Sequence, residues 1–283
     1  MVVACAVVYF VNVPGITASS DIIQGLSSHP EGIQTNLTYF QKAIAASAGG
    51  GLGSQEVHEQ LIQFATQAQS LNAGNAQFQS DVAHYAIARM QEQAAATPND
   101  ARIRLFLGTY LLQVGDTADA HVELVAAHAL SPGKQQILFE LGAAEAISGN
   151  YPAALSWFKQ AYDSAPGYDT ARLTYAAAAI EAGQPDLASS LLMPRYGTLT
   201  PDDDTILQAY VVAKQYASAL IILKARTAAN PADTRTHLLL AQVYLAGGDK
   251  VDAVSEIQVL IKLNPSFAAQ GQSYIQQIEG QAP

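Results

Sequence analysis

Residues 100–116, "DARIRLFLGTYLLQVGD", and residues 117–133, "TADAHVELVAAHALSPG", decide the fold. The first stretch carries apolar residues at helical spacing and stops at Gly115, a residue suited to a left-handed helix end. The second runs back with the same spacing and stops before Pro132, which disfavours helix in the residue ahead of it. Together they read as a helical hairpin. The small Ala120 lets the two helices approach, and Leu124, four positions on, lies on the same face and plugs the gap. One such hairpin cannot bury its apolar face alone, so neighbours must stack on it.

The neighbours are visible as a repeat. Pro98, Pro132 and Pro166 stand 34 residues apart, as do Pro231 and Pro265. Thr200 falls where the missing proline belongs, and the step from Thr200 to Pro231 is 31, so one unit is short by three. Twelve residues before the six marks stand Ala86, Ala120, Ala154, Ala188, Ala219 and Ala253, and eight before them Met90, Leu124, Phe158, Leu192, Leu223 and Ile257. Seventeen before four of them stand Gly115, Gly149, Gly183 and Gly248. A small residue, a large apolar one, a glycine and a proline recurring in one phase mark a repeat architecture.

These positions resemble the tetratricopeptide repeat family. Residues 135–167 carry Leu141 and Gly142, then Ala154, Phe158, Ala161 and Pro166 at the family's spacing. Residues 101–132 match through Leu107, Gly108, Ala120, Leu124, Ala127 and Pro132, and residues 234–265 through Leu240, Ala241, Tyr244, Ala253, Ile257 and Pro265. The two units between are degenerate, with Arg195 and Arg226 in place of a small alanine. The resemblance implies an all-α, right-handed superhelical solenoid of helix-turn-helix hairpins. It divides the chain into an apolar segment (1–16), an irregular helical region (17–75), the repeat solenoid (76–265) and a capping helix (266–283). The stretch from Tyr39 to Leu61 also resembles the extracytoplasmic tail of bacterial O-antigen ligase-like membrane proteins.

Composition excludes several function classes. The net charge is −10, and Lys42 is the only Lys or Arg before Arg89, so the clustered basic residues that nucleic acid requires are missing. The single Cys5 excludes an internal disulfide and any zinc site built on cysteines. Its context "VVAC" is like a lipoprotein cleavage box without the apolar region such a box needs ahead of it. The Gly-rich residues 49–54 lack the lysine of a phosphate loop and read as a flexible loop with Ser54 as helix N-cap. Asp202, Asp203 and Asp204 follow Pro201 at a helix start, where acidic side chains suit the helix dipole. His121 and His128 share a helical face, but no carboxylate or cysteine is spaced along the sequence to complete a metal site. Asn36 begins an N-L-T sequon, which matters only in a source that glycosylates. No nucleophile, base and orienting group can be assembled. The expectation is therefore no enzyme activity, no metal and no cofactor.

The family resemblance implies a protein partner bound along the first helices of the hairpins. The corresponding face here carries Leu105, Thr109, Phe139, Ala143, Leu173, Ala177, Leu238 and Gln242, with Arg102 and Arg235 as the only basic candidates. Family members that clamp a terminal carboxylate place Lys, Arg and Asn on that face. This groove suits an apolar segment instead.

The opening residues "MVVACAVVYFVNVPG" hold no charge, and the first charged residue is Asp21. A membrane helix takes roughly 20 apolar residues, and this run is interrupted at Asn12 and Pro14. Three readings stay open for it: the stump of a membrane helix, an export signal cut near Ala18, or a docking segment packed on protein. In the last, Val7, Val8, Tyr9, Phe10 and Val11 enter a neighbouring copy and link subunits head to tail. The functional expectation is an interaction and assembly module on the outer side of a bacterial envelope, touching membrane only through residues 1–13. The alternative is the non-catalytic tail of a polytopic O-antigen ligase- or polymerase-like membrane protein.

Overall fold

A computed structural model describes residues 2–47, 53–71 and 73–280, with side chains from residue 13 onward. Every regular element among the described residues is helical. In chain order these are α1 (Val2–Leu26), α2 (Ile33–Ala46), α3 (Ser54–Ser70), α4 (Ala76–Ala96), α5 (Ala101–Gln113), α6 (Thr117–Leu130) and α7 (Gln135–Ile147). They are followed by α8 (Tyr151–Ser164), α9 (Asp169–Glu181), α10 (Pro185–Tyr196), α11 (Asp204–Val212), α12 (Tyr216–Ala229), α13 (Thr234–Ala246), α14 (Lys250–Leu263), a 3-10 turn (Pro265–Phe267) and α15 (Ala268–Gly280). The chain divides into two compact units, Met1–Ser148 and Gly149–Pro283.

The repeat phase is the burial phase. Ala86, Ala120, Ala154, Ala219 and Ala253 have no exposed surface and Ala188 only 4%. The large partners four residues on, from Met90 to Ile257, are all buried as well. In α5 and α6 the mechanism is plain: a Cβ added to Gly108 would stand 2.7 Å from Leu124 Cγ and 3.3 Å from the Ala120 carbonyl. Only a bare Cα lets the two helices meet there. The turn glycines at the phase point all take positive φ, for example 86° at Gly115 and 87° at Gly248. In the short unit the same phase point is Lys214, the one non-glycine residue with positive φ among those described, at 57°. The unit is short on the side of its first helix: α11 has nine residues where α9 and α13 have thirteen.

In the first unit, α1 packs along α2 and touches α3, burying Ala18 and Ile22 against Ala43 and Val57. Helix α1 runs unbroken through Pro14 and through position 16. Asn36 Nδ2 donates to the carbonyls of Gly25 and Ser27, both at 2.7 Å, and so ties down the α1–α2 turn. The sequon amide is committed to the fold. Phe40, Leu61 and Phe64 extend the core to α4 and α5 through Val82, Met90, Ile103 and Leu107. Ser54 is the first helical residue of α3 rather than its cap; Gly53 holds the N-cap with φ 92°. The reason lies in tertiary structure, because the Ser54 hydroxyl bonds Gln93 of α4. Val7, Val8, Tyr9, Phe10 and Val11 have side chains outside the described residues. Among the described residues, no helix is long and apolar enough to cross a membrane.

In the second unit, α9 is packed by α8, α10 and α11, which buries the run Ala176–Ile180. Arg195 and Arg226 occur at the two degenerate positions because each folds back onto the start of its own hairpin. Arg195 forks onto Asp169 at 2.7 and 3.0 Å, and Arg226 bridges Asp202 and Asp204. Arg195 keeps its head in water on an aliphatic stem, whereas the more buried Arg226 has its charge met by the two carboxylates.

Candidate functional site

Two clefts stand out, one in each unit. The first lies between α3 and α5 and has a volume of about 410 Å3. Helix α3 contributes Ile62, Gln63, Thr66, Gln67 and Ser70, and α5 contributes Leu105, Phe106, Thr109, Tyr110 and Gln113. Both sets follow the same i, i+1, i+4, i+5, i+8 spacing, so each is one helical face. Gln136, from the first turn of α7, closes the end. Leu105 and Tyr110 form the floor, and Thr66 Oγ1 donates to Gln113 Oε1 at 3.2 Å across the two helices. Tyr110 is 1% exposed and its hydroxyl has no hydrogen-bond partner among the described residues; burial pushes that hydroxyl up to about 12. Beside the cleft, burial raises the Glu140 carboxyl above the ordinary range while the Thr109 hydroxyl pulls it partly back. The basic candidate Arg102 is already spent: it pairs with the buried Glu59 and lies over the Phe106 ring.

The second cleft, of about 310 Å3, is built at the end of the second unit. Leu238, Ala241, Gln242 and Leu245 supply one face of α13, Ile257 comes from α14, Phe267 from the 3-10 turn, and Gln270, Tyr274, Gln277 and Ile278 from α15. Helix α15 packs this tightly because Gly271 presents no side chain to Ile261, whose Cγ1 lies 2.8 Å from where a Cβ would stand. Gln270 Nε2 donates to the Tyr274 hydroxyl at 2.8 Å.

Neither cleft has an Asp, Glu, Lys or Arg in its lining, although the chain carries −10 overall. Both combine an apolar floor with a glutamine rim. Side-chain amides offer donors and acceptors at once, which suits a polypeptide backbone and gives no reward for a charged terminus. Of the residues expected from sequence, Leu105 and Thr109 come together in the first cleft, Leu238 and Gln242 in the second. Phe139 and Ala143 lie half-buried on α7, and Leu173 half-buried on α9. Ala177 is 6% exposed and offers almost no surface, because three helices enclose α9. The contributions of α3 and α15 were not legible in the sequence, since their glutamines follow no repeat phase.

The polar clusters are structural. Asp203 caps α11, accepting from the backbone N–H groups of Thr205 and Ile206 at 2.9 and 3.1 Å. It lines a pocket with Asp202, Asp204, Asp233, Arg226 and Arg235. His121, for which the sequence spacing offered no carboxylate, meets Glu145 of α7 at 3.0 Å. No group of three or more metal-ligating side chains occurs among the described residues.

Residues 105–169 and 145–194 match two patterns of the tetratricopeptide repeat family. Among solved structures, a tetratricopeptide repeat protein from Parabacteroides merdae superposes with a TM-score of 0.62 at 14% identity, covering 94% of this chain and all of that one. PilF of Pseudomonas aeruginosa gives 0.42 at 16% identity over 95% of this chain and 99% of its own. YrrB, described as a tetratricopeptide repeat protein with an unusual peptide-binding site, gives 0.39 at 16% over 62% and 92%. No curated protein matches in sequence. At 14% identity the likeness to the Parabacteroides merdae protein is one of fold alone. The repeat phase, the burial that follows it and the family match agree: this chain carries tetratricopeptide repeats, recognised over residues 105–194, in an all-helical solenoid.

Proposed function

We propose that this chain is a non-enzymatic protein-binding module whose clefts hold uncharged, apolar segments of a protein partner. Tetratricopeptide repeats mark protein-interaction modules in general. The observation that carries the finer reading is the lining chemistry: two clefts without a charged side chain on a strongly acidic chain. A carboxylate-terminated partner finds no free cation there, whereas a neutral apolar segment gains burial on the floor and hydrogen bonds at the rim. The chain itself contains such a segment. Residues 1–20 have no charge, and Val7, Val8, Tyr9, Phe10 and Val11 lie in its apolar run. We assign it as the ligand of a second copy, giving a head-to-tail contact that closes into a ring or grows into a fibre. The resemblance of the stretch from Tyr39 to Leu61 to extracytoplasmic tails supports a place on the outer side of a bacterial envelope.

Light scattering on the full chain and on a variant lacking residues 1–14 tests this. Assembly of the full chain that the deletion abolishes is the expected result. A monomeric full chain, or equal assembly by both, overturns the docking reading. The lack of charge in residues 1–20 then favours the membrane-stump reading of the opening segment and the glycan-ligase-tail reading.

A further inference from the structure

The second cleft sits beside a histidine whose surroundings leave it one comfortable protonation state. His237, in the first turn of α13, is 8% exposed. Its Nδ1 lies 2.6 Å from Glu256 Oε2 on α14, and its Nε2 lies 3.0 Å from the Pro231 carbonyl in the α12–α13 turn. A carbonyl only accepts, and an ionised carboxylate only accepts, so both ring nitrogens must carry hydrogen to satisfy the two contacts. That form is the imidazolium. A neutral ring keeps one bond and turns a lone pair toward either the carboxylate or the carbonyl.

We propose that His237 is a proton-operated clamp on the C-terminal cleft, tying α13 to both α14 and the α12–α13 turn when charged and giving up one of those two ties when neutral. The inference rests on the reading of that cleft as a binding site. The clamp is one residue away from both walls: Leu238 follows His237 on α13, and Ile257 follows Glu256 on α14, and both line the cleft. The charged groups that face the ring are Glu256 from α14 and Asp233 from the α13 N-cap. Asp233 is itself fixed, accepting from Thr236 Oγ1 at 2.6 Å and from the Arg235 backbone N–H at 3.0 Å. On its far side Arg226 of α12 and Arg235 line the neighbouring acidic pocket, with Arg226 held by Asp202 and Asp204. Burial works against the charged ring, but the Glu256 hydrogen bond, the Pro231 carbonyl and the attraction of Glu256 and Asp233 outweigh it, so the ring titrates above its ordinary 6.5. With the folded-state value raised, the clamp contributes fully below the unfolded-state value. Its contribution is lost as pH rises through the folded-state value. The other buried histidine has the opposite sign. Burial lowers His58, and the nearby Arg89 adds to that, against the Ser54 carbonyl at 2.6 Å and Glu92, which favour the charged ring.

The test is an NMR titration of the intact chain between about pH 5 and pH 9, following the His237 ring and the methyl groups of Leu238, Leu245 and Ile257. Hydrogen exchange of the α13 and α14 amides is measured over the same range. The expected result is a ring midpoint above the ordinary value. Methyl shifts and loss of α13–α14 protection share that midpoint, and all vanish in His237→Gln and shift downward in Glu256→Gln. A ring midpoint at or below 6.5 overturns the proposal. So does a raised midpoint with silent cleft methyls, which makes the pair a local contact only. None of these readouts needs a partner, so the clamp can fail while the binding reading stands. If the light-scattering test fails while the titration succeeds, the clamp remains and its cleft has a different occupant.

Discussion

Gly108→Ala tests the packing logic of the whole repeat. In an ordinary helix interior this change stabilises by about 1 kcal/mol, because alanine loses less backbone freedom than glycine. Here the new Cβ would stand 2.7 Å from Leu124 Cγ, 2.9 Å from Leu124 Cδ2 and 3.3 Å from the Ala120 carbonyl. Contacts below 3.0 Å require something to move. Leu124 and Ala120 have no exposed surface, so neither can swing into solvent. Overpacking of this kind costs about 1–3 kcal/mol, which outweighs the propensity gain and leaves a net loss of about 1 kcal/mol. The partner mutation separates the two effects. Leu124→Ala alone opens a cavity and costs roughly 2–5 kcal/mol. In the double variant the alanine Cβ occupies part of that cavity and meets no leucine. The double should therefore be more stable than the sum of the singles by about 1–2 kcal/mol, a coupling typical of residues in contact. Urea unfolding followed by circular dichroism reads all four proteins through their midpoints. Stabilisation of Gly108→Ala by the full propensity gain, or strict additivity in the double, would refute the close approach of α5 and α6.

Two further changes follow from the same structure. Lys214→Gly should raise the unfolding midpoint, by up to about 1 kcal/mol, because Lys214 occupies a left-handed conformation at φ 57° that costs a side-chain-bearing residue about 1–3 kcal/mol and glycine little; a lowered midpoint counts against the strain. Tyr110→Phe should be neutral to stabilising in thermal unfolding, since the buried hydroxyl it removes has no partner among the described residues; a loss above about 1 kcal/mol would reveal a bond that the hydroxyl makes.

The hairpins were legible because their determinants are local. A glycine where the chain must turn with positive φ, a small residue where two helices cross and a large one a turn later all recur within 34 residues. The family resemblance therefore read the register that burial later followed, from Ala86 to Ala253. Even the short unit was visible as a step of 31. What only tertiary structure decided concerns groups brought together from different elements. Ser54 looks like an N-cap until its hydroxyl is seen to bond Gln93, 39 residues on. His121 looks partnerless until α7 delivers Glu145. The groove residues follow the repeat phase, yet Ala177 is enclosed by three helices and the two clefts owe much of their lining to α3 and α15, which lie outside that phase. His237 is one of six histidines, and nothing in the sequence singles it out. Only the packing of α13 against α14 sets an acceptor on each side of its ring, because hydrogen-bond partners are chosen by distance in space, while periodicity records only which face of a helix is covered.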